Sequence, residues 1–224
     1  PNLVENWHEH PLSSLSIIRC KPWTSGKMAL IGDAAHATVP FYGQGMNASF
    51  EDCYVMYNLM KKHNENWEEV FKEYELRKPD GDALQDLSVH NYHVMRDFVG
   101  DPMFLLQKKL EAKFSKAHPD KWMPLYSQVS FSNIPYSEAW DTGMKQDALM
   151  KKVMDKPNIE EIWDSKEIED EIDRLNQKAV NSSPILTNIK TSLKGLDSAM
   201  NSHGSGVEIT PFTKKPFLKD KASS

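Results

Sequence analysis

The chain has 224 residues, of which 39% are hydrophobic and 26% charged, and its net charge is −5. This composition is ordinary for a globular protein that can bury a core, and the negative charge, with no basic stripe, argues against nucleic-acid binding. Two cysteines in a chain of this length favour a reducing compartment over a disulfide framework. The sequence contains no run of about 18 apolar residues, so no membrane-spanning helix is predicted.

The stretch 27–52 has the pattern of a strand, a carboxylate, a glycine-rich loop and a helix. Met28–Ile31 is a short apolar run bounded by a glycine, which is typical of a strand buried on both faces. Asp33 follows at the carboxyl end of this predicted strand, where open α/β sheets bind ligands. A carboxylate there can accept hydrogen bonds from sugar-like hydroxyl groups, although an Asp after a strand is more often only a turn or helix cap.

Gly43 and Gly45 form the glycine-rich loop, and without side chains they permit positive φ and the close approach of a flat ligand. Paired glycines are also ordinary in tight turns. Residues 43–48 match a truncated dinucleotide fingerprint, G-x-G-x-x-A, but ten residues separate Gly32 from Gly43, which excludes that interpretation. A helix is predicted over 47–62, with its N-terminal N–H groups directed at the loop. The face predicted to be buried is apolar: Phe50, Cys53, Tyr54, Tyr57 and Met60.

The chain after this helix is predicted to be mainly helical. The predicted helices cover 65–78, 82–99, 102–116, 146–154 and 165–180. Residues 121–140 are rich in Trp, Pro, Tyr and Ser, which favours irregular segments or a short strand around 126–131. From residue 181 the composition turns polar and predicts a disordered tail.

Asn91 lies on the apolar stripe of the predicted helix 82–99, where an amide without partners would cost about 1–3 kcal/mol. Its partner is predicted to be either a backbone carbonyl or a bound polar ligand. Tyr126 has the same two alternatives for its hydroxyl, and Met95, one turn after Asn91, is by itself ordinary core. His90 and His93 have a spacing compatible with metal binding, but no third ligand is indicated, so no metal site is predicted.

Several separated motifs carry a resemblance to a known family. They are Ile18-Arg19-Cys20, Gly32-Asp33-Ala34-Ala35-His36, the run 40–47 (PFYGQGMN), the run 50–53 (FEDC), the run 91–96 (NYHVMR) and the run 124–132 (PLYSQVSFS). The chain resembles the group A FAD-dependent aromatic hydroxylases and, within them, the kynurenine 3-monooxygenase family over roughly residues 10–160. The resemblance implies an α/β fold of the FAD/NAD(P)-binding, PHBH-like type. This chain would carry the end of the FAD domain and a mainly α-helical C-terminal region.

The resemblance also implies FAD as cofactor, NADPH as co-substrate, and the hydroxylation of L-kynurenine to 3-hydroxykynurenine by molecular oxygen. No catalytic acid or base is implied, because the aniline nitrogen of kynurenine already activates its ring, and His36 is expected to order the loop. The matching cofactor-binding residues are Asp33, Pro40, Gly43, Gly45, Met46 and Asn47. The matching substrate-binding residues are Phe41, Asn91, Met95 and Tyr126.

The expected organisation has three parts: 1–62 as the end of the FAD-binding and substrate domain, 63–180 as a helical region that contributes to the substrate pocket, and 181–224 as the tail. Since no N-terminal dinucleotide-binding motif is found, we expect a C-terminal part of a longer enzyme, inactive in isolation. The expected location is the cytoplasm, or the mitochondrial outer membrane for a eukaryotic source. A hydroxylase of another aromatic acid and a non-catalytic interaction module are the alternative functions.

Overall fold

The computed structural model describes residues 2–10 and 14–181, and the chain divides into two compact units between Asp97 and Phe98. The polar tail predicted from residue 181 lies outside the described residues, apart from Asn181 at the end of the last helix. The division differs from the boundary expected after residue 62, because two helices that follow this boundary belong to the first unit.

The first unit is mainly helical. Its elements are α1 (Leu3–Glu9), β1 (Thr24–Ser25), β2 (Met28–Ala29), α2 (Asp33–His36), a 3₁₀ turn (Pro40–Tyr42), α3 (Gly45–Lys62), α4 (Trp67–Tyr74), a second 3₁₀ turn (Glu75–Arg77), α5 (Lys78–His93) and a π-helical turn (Val94–Phe98) that reaches the unit boundary. The helix predicted over 82–99 therefore begins earlier, with Pro79 in its first turn, where a proline is tolerated because that N–H has no intrahelical acceptor.

The strand predicted at Met28–Ile31 is wrong in its length and burial. Within the described part of the chain, the only sheet is an antiparallel hairpin that pairs Thr24 with Ala29 and Ser25 with Met28. Met28 is exposed, and Leu30 and Ile31 are partly exposed. No further strand among these residues pairs with the run or covers its faces, so its apolar side chains are not enclosed.

Helix α3 forms almost where predicted, but the prediction of its buried face is wrong except at Met60, which is partly buried and packs on the core around Trp23. Phe50 is 61% exposed, and the predicted core residues Cys53, Tyr54 and Tyr57 are exposed too. The buried face contains Ala48, Asp52 and Leu59. Hydrophobic periodicity selected the opposite face because Asp52 is polar and is buried through partners that lie far along the chain.

The core of the first unit forms around Trp23, against which α4 and the turn after it pack. The Glu75 carboxylate accepts hydrogen bonds from the backbone N–H groups of Trp23, at 2.9 Å, and Thr24, at 3.0 Å. This contact explains why residues after 62 fold with the N-terminal segment rather than with the later helices. The core cluster consists of Trp23, Ala35, Leu59, Val70 and Tyr74.

The second unit is helical throughout its described elements. These are α6 (Pro102–Ala117), α7 (Leu125–Phe131), α8 (Tyr136–Met154), α9 (Ile159–Ile162) and α10 (Lys166–Asn181). Of the structure predicted within 121–140, the irregular segments are found at 121–124 and 132–135, but the strand is wrong, because Pro124 and Pro135 directly precede α7 and α8 and start these helices. The core of this unit contains Leu110, Phe114, Trp122, Met150, Ile168 and Ile172.

Among residues 2–10 and 14–181, no helix is long and apolar enough to cross a membrane. The same residues contain no group of three or more His, Cys, Asp or Glu side chains placed to hold a metal ion.

Candidate functional site

The turn that carries Asp33 packs against the beginning of α3. Gly32 has a φ of +61°, and a Cβ added to it would lie 3.0 Å from Ser49 Oγ, so only a glycine fits here without a shift. The Gly32 N–H donates to Asp52 Oδ2 at 3.0 Å. Asp33 itself is exposed at the first position of α2. The predicted ligand carboxylate is therefore held at the surface beside α3.

The glycine-rich loop ends in uncapped amide groups. Gly43 adopts the left-handed conformation with a φ of +69°, and no atom of the described residues lies within 4 Å of a Cβ built on it. The first N–H groups of α3, from Gly45 to Asn47, have no intrahelical acceptor, and the side chain of Gln44 at the N-cap makes no capping hydrogen bond. Met46 is 70% exposed beside them. The start of this 18-residue helix thus offers N–H donors and positive dipole to an electron-rich group.

Three polar side chains on one face of α5 hold the segment that leads into this loop. Gln85 Nε2 donates to the carbonyl oxygen of Ala37 at 2.9 Å, and the hydroxyl groups of Ser88 and Thr38 are hydrogen-bonded. Asn91 Nδ2 donates to the carbonyl oxygen of Phe41 at 2.5 Å. The sequence analysis did not predict roles for Gln85 and Ser88. Their spacing of three residues, beside the apolar Leu84 and Leu87, could have indicated that polar side chains on this face of α5 bind a neighbouring segment.

Asn91, Met95 and Phe41, which were predicted to bind substrate, lie together in the first unit. The Asn91 amide nitrogen is 3.8 Å from Met95 Sδ, and the Phe41 ring lies against Tyr92, with 4.7 Å between centroids. Met95 belongs to the π-helical turn after α5, a conformation that is frequent at functional sites. The sequence allowed two kinds of partner for the Asn91 amide, a backbone carbonyl or a bound polar ligand, and the structure shows the first of them.

A buried carboxylate network, also missed by sequence reasoning, supports the Asp33 turn from inside. Asp52 accepts hydrogen bonds from His36 Nε2 at 2.6 Å and Arg77 Nε at 3.1 Å, in addition to Gly32. Burial acts to raise the pKa of Asp52, but hydrogen bonds from His36 and Gly32 and the nearby charges outweigh it, so the pKa lies below its usual value. Burial raises the pKa of the Tyr74 hydroxyl, and the charge of Asp52 raises it further by a smaller amount.

Comparisons with known proteins show what the sequence of this chain is similar to. Residues 13–76 match the family described as FAD binding domain. A protein of Flavobacterium johnsoniae named kynurenine 3-monooxygenase is 48% identical over 180 residues, which are 80% of this chain and 40% of that protein. Proteins of the same name from Myxococcus xanthus and Dictyostelium discoideum are 43% identical over 155 residues and 37% identical over 179 residues. These alignments cover 68% and 72% of this chain, and 33% and 39% of the relatives.

This chain is a homologue of the kynurenine 3-monooxygenases. The match to the FAD binding domain includes the Asp33 turn, the glycine-rich loop and, of the Asp52 network, Gly32, His36 and Asp52; Arg77 lies one residue beyond it. The chain spans about two fifths of the length of the Flavobacterium johnsoniae relative.

The residues of the glycine-rich loop fit the FAD that this family model implies. The amide groups of Gly45, Met46 and Asn47 are uncapped, and the space around Gly43 is open, so a flat, electron-rich ring system can approach the backbone. Pro40 and Asp33 are both exposed in the same region of the first unit.

Tyr126 differs from the other substrate-binding residues predicted for a kynurenine 3-monooxygenase homologue. It lies on α7 of the second unit, where it is 59% exposed. Its ring makes an edge contact with Phe131, at 5.9 Å between centroids. The apolar setting expected around its hydroxyl is not found among the described residues of this unit, so a role toward substrate stays a prediction from the resemblance.

Proposed function

We propose that this chain supplies the flavin loop and part of the substrate pocket of an FAD-dependent, NADPH-using monooxygenase that converts L-kynurenine to 3-hydroxykynurenine with molecular oxygen. One observation supports the proposal: side chains of α5 hold the backbone at Ala37 and Phe41, in the segment that leads into α3, and Asn91 contacts both the Phe41 carbonyl and Met95 Sδ. The names of the relatives support the choice of substrate. The cytoplasmic location stays a prediction.

The residues proposed to hold FAD have distinct roles. The N–H groups of Gly45, Met46 and Asn47 would donate to the edge of the flavin that becomes more negative when the cofactor is reduced. Asp33 would accept hydrogen bonds from the hydroxyl groups of the ribityl or pyrophosphate region, and Pro40 would wall the flavin face. When bound, FAD supplies the activation of oxygen, which protein side chains cannot provide.

The residues proposed to hold kynurenine position it and exclude water. Phe41 and Met95 present apolar surface to the aromatic ring, and a dry pocket limits the unproductive loss of activated oxygen. Asn91 would hold the polar end of the substrate with the part of its amide that does not bind the Phe41 carbonyl. Tyr126 would contact the amino-acid end, and no described side chain is required as an acid or base.

A chimera in which this chain replaces the matching segment of the Flavobacterium johnsoniae relative tests the proposal. The chimera is expected to bind FAD, to oxidise NADPH faster when L-kynurenine is added, and to release 3-hydroxykynurenine. Stimulation by another aromatic acid, with none by kynurenine, would instead identify a hydroxylase of that acid. Absence of FAD from the folded chimera would contradict the proposal and favour an interaction module.

The first variant of this chimera is Asp33→Ala, which removes the proposed acceptor for FAD hydroxyl groups. FAD binding is expected to weaken by about 1.5–3 kcal/mol, the usual contribution of a hydrogen bond to a charged group. Flavin fluorescence titration measures the dissociation constant. Asp120→Ala, which removes an exposed carboxylate of the second unit, is the control and should leave it unchanged. Equal affinities for the Asp33→Ala variant and the unsubstituted chimera would show that Asp33 is only a turn residue.

The second set of variants concerns substrate. Asn91→Ala and Tyr126→Phe are each expected to weaken kynurenine binding by about 1–3 kcal/mol, the cost of an unpaired polar group, and to reduce the coupling of NADPH oxidation to hydroxylation. Kynurenine titrations and product yields measure both effects, with Asn133→Ala, an exposed amide, as the control. If Asn91→Ala lowers the melting temperature but leaves the kynurenine constants intact, its hydrogen bond to the Phe41 carbonyl is its whole role.

A further inference from the structure

One carboxylate connects three separate segments of the first unit. The Asp52 side chain is 0% exposed and accepts hydrogen bonds from the Gly32 N–H, from His36 Nε2 and from Arg77 Nε. Because a carboxylate can only accept, the His36 ring donates through Nε2. Its Nδ1 atom is buried and has no hydrogen-bond partner among the described residues, so within this part of the chain Asp52 is the polar group that orients the ring.

Burying this charge is not the simplest way to stabilise the unit. Desolvation of a buried ion pair costs several kcal/mol, and well-packed apolar residues of similar volume often stabilise a protein as much or more. A buried, paired carboxylate can instead serve to specify geometry. The geometry that it specifies is local: Gly32 and His36 stand on either side of Asp33, and both are tied to Asp52.

The backbone around this turn leaves little freedom once both ties are made. Gly32 has a positive φ and packs on Ser49. On the other side, His36 lies beside the Trp23 ring, with 5.3 Å between ring centroids. Helix α5 also packs closely on His36 at Gly81, where even an added Cβ would lie only 3.2 Å from His36 Cβ. Without Asp52, these van der Waals contacts would remain, but neither the Gly32 N–H nor the His36 ring would have its polar partner.

We propose that Asp52 is a positioning residue for the cofactor: it holds Gly32 and His36 and thereby aims Asp33 at FAD. The inference rests on the proposed function, because it concerns how the flavin loop is held. Asp52 acts on the cofactor indirectly, through the backbone N–H of Gly32 and the imidazole of His36.

The Asp52→Asn variant tests the proposal, because an amide places two N–H donors opposite groups that already donate. In the chimera, the dissociation constant for FAD is expected to rise by about 10-fold or more, which corresponds to the loss of a charge-assisted hydrogen bond. Glu51→Gln is the matched control. It removes a neighbouring carboxylate that also approaches Arg77, at 3.5 Å, but is 45% exposed, and FAD affinity should not change.

A second pair of variants separates positioning from stability. His36→Gln keeps an N–H donor at about the reach of Nε2 and should retain FAD affinity, whereas His36→Leu removes the donor and should lose it. All titrations are made well below the melting temperature of each variant. In the 224-residue chain itself, Asp52→Asn should speed the amide exchange of Gly32, which is a measurement that needs no cofactor.

The outcomes are distinct. If the unsubstituted chimera binds FAD and the folded Asp52→Asn variant binds it equally well, the positioning role is wrong while the proposed function stands. If the unsubstituted chimera does not bind FAD, the proposed function fails and the positioning role fails with it. If His36→Gln and His36→Leu lose affinity equally, the donor to Asp52 is not what matters. Unchanged Gly32 exchange in Asp52→Asn would also contradict the inference.

Discussion

Replacing Arg77 with Met is expected to lower the free energy of unfolding by about 3–5 kcal/mol at neutral pH, the cost of leaving a buried charge without its partner. The side chains of Arg77 and Asp52 are 15% and 0% exposed, and the nitrogen–oxygen distance between them is 3.1 Å. Met fills a similar volume but supplies neither the charge nor the Nε–H donor. Urea unfolding of the 224-residue chain, followed by circular dichroism and tryptophan fluorescence, measures the change.

The effect of Arg77→Met should depend on pH with a definite sign. The pKa of Asp52 lies below its usual value of 3.8, since the hydrogen bonds of His36 and Gly32 and the charge of Arg77 outweigh burial. A lowered pKa in the folded state contributes stability that is present above the unfolded pKa and is lost as pH falls through the folded pKa. The difference between wild type and variant should therefore be largest above about pH 4 and shrink below it.

Arg19→Met is the matched control for Arg77→Met. Arg19 forms an ion pair with Asp86, and both side chains are 43% exposed. A pair at the surface contributes only about 0–1 kcal/mol because water screens it, so this variant should unfold almost as wild type does. Glu51 and Tyr74, which also lie close to the Asp52 network, are unchanged in both variants. Equal losses for Arg77→Met and Arg19→Met would contradict the view that Asp52 depends on Arg77.

Gly81→Ala is expected to destabilise the chain, although Ala is the better helix former. A Cβ at this position would lie 2.6 Å from Trp23 Cζ2 and 3.2 Å from His36 Cβ. Trp23 is buried and rigid, so the overlap should cost about 1–3 kcal/mol, against a gain of about 1 kcal/mol from helix propensity. The net free energy of unfolding should fall, as urea unfolding would show.

Gly143→Ala in α8 is the matched control for Gly81→Ala. Its Cβ would also be too close to a neighbour, at 2.7 Å from Cδ1, 2.8 Å from Cδ2 and 2.9 Å from Cγ of Leu125, so this half-buried side chain would have to move as a whole. Because a half-buried Leu side chain moves more easily than a buried Trp ring, we expect Gly143→Ala to lose less stability than Gly81→Ala. A stabilised Gly81→Ala variant would show that the Trp23 ring can move away from Gly81, and therefore that α5 does not pack tightly on the N-terminal segment.

The helices were the part of the fold that could be predicted from the sequence. The predicted ends of α6 and α10 differ from the observed ends by at most one residue, and those of α3 by at most two. These ends could be predicted because apolar spacing, Pro102 and turn residues act within one or two helical turns. Residues 125–154 form two helices, of which the sequence predicted only the last part, 146–154, since the aromatic and Ser-rich composition before it has no clear period. Packing on the second-unit core, which includes Leu149, Met150 and Val153, decides their structure.

For the site, the sequence by itself determined the order of its parts: an Asp after a glycine, a glycine-rich loop, a helix start, and an amide on an apolar stripe that required a partner. The tertiary structure alone decided that this partner is the Phe41 carbonyl, that Asp52 rather than Phe50 faces inward, and that Arg77 neutralises it. The physical reason is range. Helix periodicity and turn chemistry act between neighbours in the chain, whereas the partners of Asn91 and Asp52 are 50 and 25 residues away, and only packing brings them together.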